Sequence, residues 1–120
     1  MSLDAYRRVR TIAESPRATE YRLMSQITGE MIHARDSGLS GIALVPALHR
    51  NREVWSAFSS TCAAPGNQLP NELRASIISI ALWVDRYTSE VVAGRDSIED
   101  LITVNRAIID GLANENLQAA

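Results

Sequence analysis

Residues 69–94, LPNELRASIISIALWVDRYTSEVVAG, decide the fold, because they contain the one segment in which a buried strand competes with a helix. The isoleucines of SIISIAL favour β structure. The apolar pattern, however, continues without a break from Leu73 to Val92, much longer than a typical strand. Pro70 can begin a helix and Gly94 can end one. We therefore predict a helix between these two residues.

The rest of the chain also shows helical spacing, with start and stop residues around each segment. A short helix is predicted at residues 3–13, followed by a helix that is capped by Ser15, has Pro16 at its first position and is ended by Gly38. The next helix is capped by Ser40 and runs to about Cys62. The last helix is opened by Asp96 and Glu99 and ended by Gly111. Residues 113–120 are expected to form a frayed tail. The predicted fold is all-α: a single-domain bundle over residues 1–120, with four long helices plus a short N-terminal helix.

The apolar faces of these helices define the expected core. Residues that recur three or four apart fall on one face of a helix and are buried together. The side chains predicted to be mostly buried are Trp55, Phe58, Ile77, Ile80, Val84, Leu101 and Ile108.

Composition limits the class of protein. The chain has 120 residues, 46% of them hydrophobic and 22% charged, which is typical of one globular domain. No apolar run reaches the roughly 18 residues that span a membrane. The net charge of -2 makes direct nucleic-acid binding an unfavoured interpretation. The single cysteine, Cys62, cannot form an internal disulfide and suits a reducing compartment. We expect a cytoplasmic bacterial protein.

Two asparagines interrupt apolar stripes. Asn51 lies on the stripe that contains Trp55, and Asn105 lies on the stripe that contains Leu101. A buried amide without a hydrogen bond costs about 1–3 kcal/mol. We expect the two amides to bond to each other or to backbone carbonyls and so to fix helix register. The alternative is that they line a groove and bind a docked helix.

The helix between Pro70 and Gly94 carries more apolar surface than one face can hold. Ile78, Leu82 and Trp83 lie off its main stripe. Such a helix is either central, packed on several sides, or it exposes a patch for a partner helix. Under the second hypothesis Arg86 and Arg52 supply polar contacts at the rim, giving a partner-binding site of these five residues.

Catalytic motifs are not found. His33, His49 and Cys62 lack the spacing of metal ligands, and Cys62 suits a small buried apolar side chain. The hydroxyl cluster of residues 59–61 has no recognisable base near it. We predict neither an enzyme, nor a cofactor, nor a metal site.

Four segments together carry a resemblance to a known family. They are SPRATEYRLM (15–24), NREVW (51–55), NQLPNELRASIISIALWVDRYTSEVVAG (67–94) and SIEDLITVNRAIIDGL (97–112). Their order and the chain length resemble the FlaF family of flagellar biosynthesis regulators. The resemblance implies an α-proteobacterial cytoplasmic protein with flagellin as its partner. A second partner that the resemblance suggests is the regulator FlbT, which acts on flagellin messenger RNA.

Two functions follow from this resemblance. The first is a flagellin-specific export chaperone that covers flagellin helices in the cytoplasm. The second is a regulatory adaptor of flagellin synthesis that acts through FlbT or flagellin messenger RNA without binding flagellin. The resemblance leaves the oligomeric state and the contact residues open.

Overall fold

The computed structural model describes residues 16–67 and 69–119, and every regular element within those ranges is helical. The long helices are α1 (Pro16–Asp36), α2 (Val45–Ala63), α3 (Asn71–Val92) and α4 (Glu99–Ala119), and a 3-10 turn, Gly41–Leu44, precedes α2. The predicted all-α bundle of four long helices is confirmed, and α3 replaces the competing strand. The predictions for residues 3–13 and for Ser15 lie outside the described residues.

In the packing order of the helices, α2 lies between α1 and α3. It contacts α1 on one side and α3 on the other, and α1 in turn packs against α4. Of the seven side chains predicted to be buried, six are, and Ile80 is half-buried against the same core. The faces that the apolar spacing selected therefore do meet in one core.

Gly38 and Gly94 end α1 and α3 as predicted. Gly38 has a φ of 74°, a left-handed conformation that a side chain disfavours. The N–H of Leu39 then donates to the carbonyl of Ala34 over 3.1 Å, so a carbonyl of the last turn of α1 is satisfied. Gly94, with a φ of 77°, ends α3 with the same hydrogen-bond pattern.

The predicted start of α2 at Ser40 is wrong. Ser40 precedes the 3-10 turn, and its side chain makes no capping hydrogen bond. The α-helix begins only at Val45, with Pro46 in its first turn. Proline lacks an N–H and is best placed there, so it fixes where the α-helical hydrogen bonds begin.

The predictions for both ends of α4 also need correction. The side chain of Ser97, not Asp96, caps the helix: its Oγ accepts from the N–H of Glu99 at 3.1 Å. Gly111 does not end α4, which continues to Ala119 and includes residues 113–119 of the expected frayed tail. Gly111 does not adopt the positive φ that a terminating glycine needs, and the alanines and Gln118 beyond it favour helix.

The α2–α3 connection is held by side chains that cap α2. Arg74 Nε donates to the carbonyl of Cys62 over 2.7 Å, and Asn67 Nδ2 donates to the carbonyl of Thr61 over 3.1 Å. These carbonyls lie in the last turn of α2, where intrahelical partners are missing. The buried Leu69 anchors the same loop. Together these contacts fix α3 beside α2.

Candidate functional site

Asn51 and Asn105 meet in the core. Both are 0% exposed, and Asn105 Nδ2 donates to Asn51 Oδ1 over 2.8 Å. Asn105 Nδ2 also donates to Thr28 Oγ1 over 3.0 Å, and Trp55 Nε1 donates to Asn105 Oδ1 over 2.8 Å. These four residues form a polar centre that joins α1, α2 and α4. The predicted burial and mutual hydrogen bond of the two amides are confirmed.

The polar centre is a structural feature and not a binding surface. Thr28 uses its hydroxyl hydrogen on the carbonyl of Met24, at 2.6 Å, so its oxygen is free to accept from Asn105. Asn51 Nδ2 has no hydrogen-bond partner within the part of the chain that the structure describes. Since neither amide is exposed, the alternative that they contact a docked helix is wrong.

A surface groove lies between α2 and α3, and Trp55 of the polar centre is among its lining residues. Its volume is about 440 Å³. The buried side chains of Trp55 and Val84 form its floor. We call it the α2–α3 groove. Its walls are His49, Arg52, Glu53, Ser56, Ser59 and Ser60 from α2, and Ala81, Leu82 and Asp85 from α3.

The groove contains two of the five residues predicted to bind a partner. Leu82 lines it and is 64% exposed, and Arg52 lines the opposite wall. Ile78 lies one turn from Leu82 on the same side of α3, half-buried against the core. Trp83 and Arg86 do not line the groove.

Trp83 is separated from Leu82 by the geometry of the helix. Consecutive residues are about 100° apart around a helix, so the two side chains diverge. The Trp83 ring stacks on Tyr87, with 4.5 Å between ring centroids, and is half-buried. The single patch of Ile78, Leu82 and Trp83 that the sequence suggested is therefore divided between two sides of α3.

Arg52 connects the two walls of the groove. Its Nη2 donates to Ser89 Oγ over 2.9 Å and to the carbonyl of Asp85, and its Nε lies 2.9 Å from Asp85 Oδ1. The side chain keeps 36% of its surface exposed. Arg52 thus ties α2 to α3 and still presents a polar edge to anything in the groove.

Of the groove wall that α2 forms, sequence analysis assigned Arg52 alone to the binding site. His49 Nε2 lies 2.8 Å from Glu53 Oε1, and both side chains are well exposed. His49, Arg52, Ser56 and Ser59 recur at three- and four-residue intervals, and each follows a residue of the core stripe, so they share a face about 100° around α2 from that stripe. That period is the signal that sequence reasoning missed, because it considered Ser59 only as part of the hydroxyl cluster of residues 59–61.

Cys62 is a buried structural thiol. It is 0% exposed, and burial raises its pKa to about 11, with a further contribution from the charge of Glu20 and an opposing one from Arg74. The thiolate is the reactive form of cysteine, so this side chain is unreactive near neutral pH. No group of three or more possible metal ligands occurs among the described side chains.

Tyr87 fastens α3 to the beginning of α4. Its hydroxyl donates to Asp100 Oδ2 over 2.7 Å and lies 3.1 Å from the carbonyl oxygen of Ser97. Removal from water, followed by the Asp100 hydrogen bond and charge, raises the pKa of Tyr87 to about 12.

Nothing in residues 16–67 or 69–119 forms a helix long and apolar enough to cross a bilayer.

Comparison with known proteins identifies the family. Searches of curated proteins and of solved structures each gave no significant match. The family model described as flagellar protein FlaF matches residues 2–112, nearly the whole chain and all of the groove. The chain therefore belongs to the FlaF family of flagellar proteins.

Proposed function

We propose that this flagellar protein binds flagellin in the cytoplasm as an export chaperone, and that an amphipathic helix of flagellin docks in the α2–α3 groove. Membership of the FlaF family supports a flagellar role. The observation that carries the choice of site is Leu82, which is 64% exposed at the edge of a groove with an apolar floor.

The chemistry of the groove suits one face of an amphipathic helix. Leu82, which is 64% exposed, offers apolar surface to the buried side of such a helix, and the nearly fully buried Trp55 and Val84 close the groove beneath it. Hydroxyls of Ser56 and Ser59 and the charges of the Arg52–Asp85 pair surround that surface. A docked helix would keep its polar flanks hydrogen-bonded while its apolar side leaves water.

Covering a flagellin helix before export has a physical purpose. Amphipathic helices that await assembly expose apolar faces, which promote aggregation when they stay in contact with water. A groove on a rigid helical pair hides such a face without unfolding the carrier. The capping contacts of Arg74 and Asn67 hold that pair together.

The test is a titration of flagellin monitored by Trp55 fluorescence. Trp83→Phe removes the second tryptophan, so the signal then comes from the indole in the groove floor. In this background, Leu82→Ser is expected to weaken binding by about tenfold, because the burial of the exposed part of this leucine, worth roughly 1.5 kcal/mol, is lost.

Leu23→Ser is the matched control, since Leu23 is a partly exposed leucine on α1 that does not line the α2–α3 groove. It should leave affinity unchanged. Equal affinity of the Leu82→Ser variant and its parent would refute the groove as the binding site. Purification with FlbT or RNA in place of flagellin would refute the chaperone function and favour the adaptor.

A further inference from the structure

The connection between α1 and α2 exposes three large apolar side chains. Ile42 is 86% exposed, Leu39 is 43% exposed and Val45 is 37% exposed. Residues 37–48, which contain all three, carry no charged side chain. We call Leu39, Ile42 and Val45 the apolar turn. A cluster of this kind in a segment without charge is typical of a surface that a partner covers.

The apolar turn lies at one end of the α2–α3 groove. Val45 precedes His49 by four residues and Arg52 by seven, so all three lie on the same face of α2. The 3-10 turn that carries Ile42 also packs against α3, as well as against α2. The apolar turn and the groove therefore form one continuous path along the helix pair.

The character of the path changes along its length. After the apolar turn come the polar and charged side chains of the His49–Glu53 and Arg52–Asp85 pairs. Because α2 and α3 are antiparallel neighbours and Asp85 meets Arg52, Leu82 lies one turn further, towards Ser56. The order is apolar, charged, then apolar with hydroxyls. From Val45 to Ser60 the path already measures roughly 22 Å, at about 1.5 Å per residue.

We propose that one continuous partner helix of at least four turns lies along this whole path, with an apolar side chain on Ile42, polar side chains over the Arg52–Asp85 pair, and a second apolar side chain against Leu82. This inference rests on the proposed function and specifies the flagellin segment by its pattern. The alternation of apolar and charged surface favours that occupant, because another copy of this uncharged turn would leave the charged section unmatched.

The experiment compares three variants of the full chain, Ile42→Ser, Leu82→Ser and Leu23→Ser, in titrations with flagellin. Ile42→Ser should not disturb folding, because the side chain is largely in water. If the helix covers both ends, Ile42→Ser and Leu82→Ser each weaken binding about tenfold, while Leu23→Ser does not. The loss caused by Ile42→Ser should be equal at low and high salt, since the substitution removes an apolar contact and changes no charge.

The outcomes separate this inference from the function on which it rests. A loss with Leu82→Ser alone overturns the continuous path and leaves the groove as the flagellin site. No loss with Leu82→Ser overturns both, whatever Ile42→Ser does. Sedimentation of the free protein measures its oligomeric state. A dimer that Ile42→Ser dissociates would show that a second copy covers the apolar turn, and would overturn the proposal.

Discussion

Asn105 donates a hydrogen bond to Asn51 over 2.8 Å, although the two residues are 54 positions apart in the chain. Both side chains are fully buried. Trp55 and Thr28 complete the bonding of Asn105. These bonds form only at one relative position of α1, α2 and α4. The polar centre therefore selects helix register, which apolar contacts alone specify less strictly.

Removing Asn105 should cost more stability than removing Asn51. Asn105→Ala leaves Asn51 Oδ1 and Trp55 Nε1 buried without partners, whereas Asn51 takes part in one hydrogen bond of the polar centre and already has an unpartnered Nδ2. Each substitution should lower the free energy of unfolding by about 1–3 kcal/mol, measured by urea denaturation. Thr103→Ala, at an exposed position of α4, is the control. A larger loss for Asn51→Ala would contradict this account of the polar centre.

Gly94 and Gly111 should respond to alanine with opposite signs. Gly94 has a φ of 77°, so Gly94→Ala strains the end of α3 and should destabilise the protein by about 1 kcal/mol. Gly111 lies within α4, and an added Cβ meets nothing within 4 Å. Gly111→Ala should stabilise by about 0.5–1 kcal/mol through helix propensity. Urea denaturation checks both, and destabilisation by Gly111→Ala would show that α4 ends there after all.

Cys62 should resist alkylation in the folded protein. Burial raises its pKa to about 11, above the ordinary value of 9.0, so little thiolate exists at pH 8. Iodoacetamide should react slowly with native protein and quickly in urea, with mass spectrometry as the readout. Because the folded pKa is the higher one, the contribution of Cys62 to stability is present below about pH 9 and is lost as pH rises through about 11. Equal rates in the two states would contradict the burial.

Tyr87 should ionise at about pH 12, against an ordinary value of 10.0. Subtracting the ultraviolet titration of a Tyr87→Phe variant from that of the parent isolates this side chain. Its stabilising contribution is present below about pH 10 and is lost as pH rises through about 12, because the folded protein favours the neutral form. Asp100→Asn should bring the pKa down towards its ordinary value by removing a negative charge. An unchanged pKa in that variant would show that removal from water acts alone.

Sequence periodicity was sufficient for the fold because each core stripe is long, extending over several helical turns. It also found the Asn51–Asn105 contact, since a polar residue on a buried stripe needs a partner. It failed at Ser40 and Gly111, where start and stop residues are frequent but do not act alone. A proline in the next turn moved the start of α2, and the residues after Gly111 prolonged α4.

The candidate site was harder to predict than the core. Leu82 and Arg52 were found, but Trp83 was grouped with Leu82 because both lie off the main stripe of α3, although consecutive side chains point about 100° apart. The groove forms only where α2 and α3 pack together, and no local sequence pattern determines which helices are neighbours. His49 and Ser56 are therefore recognisable as groove residues only after the helices are placed.

The proposed docking of flagellin in the α2–α3 groove is tested most directly by photo-crosslinking. A photoreactive amino acid at the exposed position of Leu82 is compared with the same amino acid at the exposed position of Thr103 on α4, each mixed with flagellin and irradiated. We predict a crosslink from position 82 to a helical segment of flagellin and none from position 103. Crosslinking from position 103 alone, or from neither position under conditions in which flagellin binds, would contradict the account.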